Sequence, residues 1–83
     1  MKVFVISCIT TSTDHQIYHN SLLEICQSEE VANKIIEQMA EERLNYHIQY
    51  DQSAHIFIDS NGNTCVHTSK KIYHYTIKPW NVI

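Results

Sequence analysis

The sequence is nearly free of the two residues that interrupt regular structure, with one Gly and one Pro in 83 positions. Glycine supplies left-handed backbone and proline breaks helices and ladders. A chain with so little of either has few strained turns and is committed to regular elements. A run of about 18 apolar residues is also missing, which excludes a membrane-spanning helix. The apolar stretch from Val3 to Ile9 is too short for a signal segment, and no small-residue cleavage site follows it, so it reads as a buried first strand. Paired cysteines are missing as well. Cys8, Cys26 and Cys65 are odd in number and widely spaced, which argues against a disulfide framework and for free thiols in a reducing cytoplasm. Excess positive charge is absent. A formal charge of −3 disfavours direct binding to nucleic acid or to an anionic membrane.

What remains is an ordinary hydrophobic content, 43%, enough for one small globular domain over residues 1–83. A chain of this size hides only about 60–65% of the surface its unfolded form exposes, so its core is thin and a second copy would help it. Residues 3–10 are apolar on both faces, with Val3 and Val5 on one and Phe4, Ile6 and Cys8 on the other. That pattern predicts a central strand. The polar stretch Thr10–Asp14 predicts a loop, and residues 16–26 an antiparallel second strand.

Ser28 is placed to cap a helix, with Glu29 and Glu30 in its first turn. Val31, Ile35 and Met39 recur every four residues, and Ala32, Ile36 and Ala40 widen the stripe. Val31, Ile35 and Met39 are expected to be buried, and Glu30, Glu37 and Glu41 exposed. The pattern fades at Leu44–Tyr46, and residues 46–50 read as a short strand or a coiled exit from the helix. Residues 55–59 and 64–68 read as strands around an Asn61-Gly62 turn. Residues 71–78 alternate, with Tyr73, Tyr75 and Ile77 on one face, and Pro79 is expected to end any central pairing. Trp80, Val82 and Ile83 follow.

The order ββαβββ predicts an α+β domain with one amphipathic helix on a mostly antiparallel sheet of four or five strands. Ile17, Leu23, Ile25, Phe57, Tyr73 and Tyr75 cannot all lie beneath one helix, so apolar sheet surface is left over.

The first strand Lys2-Val3-Phe4-Val5-Ile6, the helix start from Ser28 to Ala32 and the closing Tyr75, Ile77, Trp80 and Val82 form an outline. It resembles a loose group of short phage and mobile-element proteins. The resemblance implies the fold and a viral or mobile-element source, and it brings no catalytic residue with it.

Metal and nucleophile chemistry find little local support. Zinc ligands usually come as close pairs. His15-x₃-His19 has such a spacing, but on a strand the two side chains stand about 13 Å apart. Cys65-x-His67 is the one tight pair, without an oxyanion turn or flanking motif. No P-loop or dinucleotide fingerprint occurs. The expectation is therefore no metal, no cofactor and no enzyme.

Two features stand out instead. Acidic residues concentrate between 24 and 42, giving an acidic helix face of Glu30, Glu37, Glu41 and Glu42 suited to a basic protein surface. Solvated helix surface is the plainer account of the same residues. Tyr73, His74, Tyr75, Lys78 and Trp80 supply aromatics beside cations, suited to an interface or a ligand, or simply to core packing. Small size, missing catalytic groups and the phage-like outline together predict a non-enzymatic binding protein in the cytoplasm. Its expected role is a homodimer that inhibits a bacterial defence system by occupying a host protein. The alternatives are a homo-oligomeric nucleotide sponge and a structural or assembly accessory.

Overall fold

The computed structural model describes residues 1–14 and 16–82, the side chains at 17 and 18 aside. Five strands and one helix follow in the expected order: β1 Lys2–Ser12, β2 Ile17–Cys26, α1 Glu29–Ile48, β3 His55–Ile58, β4 Thr64–His67 and β5 Lys71–Asn81. All pairings are antiparallel, and the sheet order is β2-β1-β5-β4-β3. The strand with two apolar faces, β1, lies between β2 and β5, as its pattern requires.

The polar loop is shorter than expected, because Thr10, Thr11 and Ser12 stay in β1. They are held there by pairing with Tyr73, Ile72 and Lys71 of β5.

Helix α1 starts where its cap predicts. Ser28 is extended (φ −134, ψ 149), and its Oγ accepts from the N–H of Val31 at 3.1 Å. The buried line of the helix is Ala32, Ile36 and Ala40, with Ile35 and Met39 packed beside it. Val31 is 50% exposed, which corrects the expectation that it is buried. The contact is centred one residue further on, a rotation of about 100°. Alanine on either side of Ile36 lets the helix backbone approach the sheet closely, and Val31 is turned off that line. The helix also continues through residues 46–48, where the fading pattern predicts a short strand or a coiled exit. Tertiary contacts hold this last turn: the Arg43 guanidinium lies 4.2 Å from the Tyr73 ring centroid, and the His47 ring stacks 5.3 Å from the same ring.

Beneath the helix lie Phe4, Ile6, Cys8 and Cys26, with Tyr73, Tyr75, Ile77 and Val66 brought alongside by register. Ile6 and Val66 are fully buried.

Pro79 does not end β5. It pairs with Phe4 well inside the β1–β5 ladder. Met1 and Val82 exchange both backbone bonds, at 2.7 and 3.2 Å. Antiparallel pairs alternate between bonded and non-bonded, so three positions inward Phe4–Pro79 is a non-bonded pair. The proline nitrogen therefore points away from β1. On that side β4 reaches only residues 72–75, so no ladder bond is lost. Among the described residues no helix is long and apolar enough to cross a membrane.

Candidate functional site

Helix α1 covers one face of the sheet, and the register assigns the residues of the other. On β1 these are Val3, Val5, Ser7, Ile9 and Thr11. Val3 faces Trp80, Val5 lies between Ile25 and Lys78, and Ser7 lies between Leu22 and Thr76. The β2–β1–β5 half of this face is thus largely apolar. Leu22, Ile25 and Trp80 are 64%, 58% and 64% exposed. A register shift between Ile6 and Ser7 leaves Leu23 as an extra residue in β2. The bulge turns Leu23 towards the helix, where it borders a cleft with Met39, Arg43 and Tyr75.

The β5–β4–β3 half of the same face is more mixed, with His55, His67 and His74 beside Phe57, Cys65 and Ile72. Cys65 stands directly opposite His74 on β5 and Phe57 on β3. The Cys65 Sγ is 3.4 Å from His74 Nδ1 and 3.8 Å from Asp59 Oδ2. His74 Nε2 is 3.1 Å from Thr11 Oγ1. Asp59 opens the β3–β4 turn. Its Oδ1 accepts from the N–H groups of Asn61 and Asn63, each at 2.9 Å, which holds its carboxyl below the usual carboxylate range. Gly62 takes φ +83 in this turn, a value that L side chains adopt rarely.

Burial, then the adjacent Asp59 charge, pushes the Cys65 thiol up to about 11. A thiol so protonated at neutral pH lacks the thiolate that a nucleophile needs. The pair visible in the sequence, Cys65 with His67, is not the one that forms. His67 instead meets His55 across the strands, ring centroids 5.1 Å apart. His15 lies outside the described residues.

Glu30, Glu37, Glu41 and Glu42 are all exposed. Glu30 is 3.7 Å from Lys34, Glu42 accepts from Gln38 at 3.5 Å, and Glu37 and Glu41 border a cleft of about 380 Å³ with Ile56 and Ile58. The C-terminal group divides. Tyr73 and Tyr75 are buried beneath the helix, where Arg43 Nε donates to the Tyr75 hydroxyl at 2.9 Å. His74, Lys78 and Trp80 belong to the open face. Tyr73, Tyr75 and Trp80 therefore do not share one surface, because strand alternation separates odd from even positions.

Sequence reasoning missed the Asp59–Cys65–His74 convergence. The available signals were Asp59 three residues before the only glycine and His74 on an alternating strand. The molecule is an α+β sandwich of one helix on five antiparallel strands. Comparison with protein families, curated proteins and solved structures gives no match to the chain.

Proposed function

We propose that the chain is a non-catalytic protein-binding domain whose working surface is the open face of its sheet, and that a second copy covers the apolar β2–β1–β5 half of that face. The observation that carries this reading is the apolar patch of Leu22, Ile25 and Trp80 around Val3 and Val5. Large apolar side chains gathered on one face mark an association surface, and the helix leaves this face uncovered. Trp80 is the anchor, since a large ring gives much contact area for little lost entropy.

Face-to-face packing of two sheets places both helices on the outside. Glu30, Glu37, Glu41 and Glu42 of each copy then meet other proteins. In that arrangement an inhibitor of a bacterial defence system would engage a basic host surface, a role supported by the phage-like outline. Its expected mark is affinity that falls as salt rises.

Trp80 is the only tryptophan, so its fluorescence reports on the patch directly. Quenching by acrylamide should be weak at high protein concentration and grow on dilution. Strong quenching that is independent of concentration would refute the covered face.

A further inference from the structure

Three side chains from separate parts of the fold point potential ligand atoms at one spot on the β5–β4–β3 half of the open face. We propose that Asp59, Cys65 and His74 bind a transition-metal dication of the zinc class. The ligand atoms, Asp59 Oδ2, Cys65 Sγ and His74 Nδ1, lie within 4.8 Å of one another. With zinc–sulfur near 2.3 Å and zinc–nitrogen near 2.0–2.1 Å, the edge of a tetrahedral site is about 3.6 Å. The two contacts of Sγ, 3.4 Å to Nδ1 and 3.8 Å to Oδ2, bracket that length.

Each outer ligand is also oriented by its other polar atom. His74 turns Nε2 to the Thr11 hydroxyl at 3.1 Å, which leaves Nδ1 facing the thiol. Asp59 commits Oδ1 to the N–H groups of Asn61 and Asn63, while Oδ2, which takes a long 3.4 Å contact from Asn63 Nδ2, lies on the side of the thiol. Metal-ligating histidines and carboxylates are held in this way by outer-shell partners. Cys65 is fully buried at the base of the site, whereas Asp59 and His74 are half-buried. The ion therefore enters from the Asp59–His74 side, and water takes the fourth position. Binding displaces the Cys65 proton to solvent as the metal–sulfur bond forms, and thiolate, imidazole and carboxylate together suit zinc or cobalt and disfavour calcium and magnesium, which prefer an all-oxygen shell.

Cobalt(II) titration of the full chain, stripped of metal and kept reduced with a non-coordinating phosphine, reads the site without any activity assay. The expected result is one cobalt per chain with a thiolate-to-cobalt charge-transfer band, displaced by zinc. Cys65→Ser should abolish the band. Because Cys65 is also a core residue, His74→Gln and Asp59→Asn provide the independent readout. Each should keep the far-ultraviolet circular dichroism of the parent and weaken binding by at least about tenfold. Thr11→Val should weaken it by roughly tenfold through the His74 orientation, and His67→Gln should leave it unchanged. Absence of the charge-transfer band in the parent, or affinity unchanged in both His74→Gln and Asp59→Asn, would overturn the assignment.

Discussion

His47 has one ring nitrogen shut away from water. Its Nε2 is buried without a hydrogen-bond partner among the described residues, and its ring packs on Tyr73 next to Arg43. Burial, and then the Arg43 charge, lower its pKa from the ordinary 6.5. The sign of the consequence follows from linkage. Below 6.5 the unfolded chain takes up a proton that the folded chain resists, so stability falls as pH falls through that value. Asp51 and Asp59 are also shifted downwards, from 3.8, so their contributions begin to fade only in more acid solution. Urea midpoints at about pH 7.5 and about pH 5.5 should differ in the parent and converge in His47→Leu. An equal pH dependence in both would place the effect elsewhere.

At this scale the sequence was readable where the chemistry is local. Ser28 caps a helix whose first N–H groups lie three residues away. Cys65 and His74 were not readable together, because their contact depends on how β4 is registered against β5.

Among the elements, helix α1 shows what periodicity can and cannot give. The four-residue spacing placed the apolar stripe, but two parallel lines, Val31–Ile35–Met39 and Ala32–Ile36–Ala40, satisfied it equally. Side-chain size decided between them, since close approach of helix and sheet favours the line with two alanines. Ile36→Ala, which opens a cavity at a 4% exposed site, should cost about 2–5 kcal/mol. Val31→Ala, at the half-exposed position, should change stability by less than about 0.5 kcal/mol. Chemical denaturation of the two variants checks this, and equal losses would contradict the helix orientation. Pro79 carries a related lesson. A proline is tolerated inside a sheet when its nitrogen points to a side that no neighbouring strand reaches, and that side depends on pairing parity and on where β4 stops.

For the whole molecule, the order ββαβββ and the single covering helix follow from composition and pattern alone. The insertion of β5 between β1 and β4 does not, because long-range pairing leaves no mark on local spacing. The sequence did show an excess of apolar strand residues over what one helix can cover. Of the residues named for that excess, Ile25 lies on the open face, beside Val3, Val5, Leu22 and Trp80, whereas Leu23, Tyr73 and Tyr75 lie on the helix side. A face-to-face dimer should depend on these side chains while the single chain does not, since Ile25 is 58% exposed when alone. Sedimentation velocity at micromolar concentration tests this most directly, run on the parent and on Ile25→Asp. The parent should sediment as a dimer and the variant as a folded monomer. A parent that remains monomeric, or a variant dimer as stable as the parent's, would contradict the account.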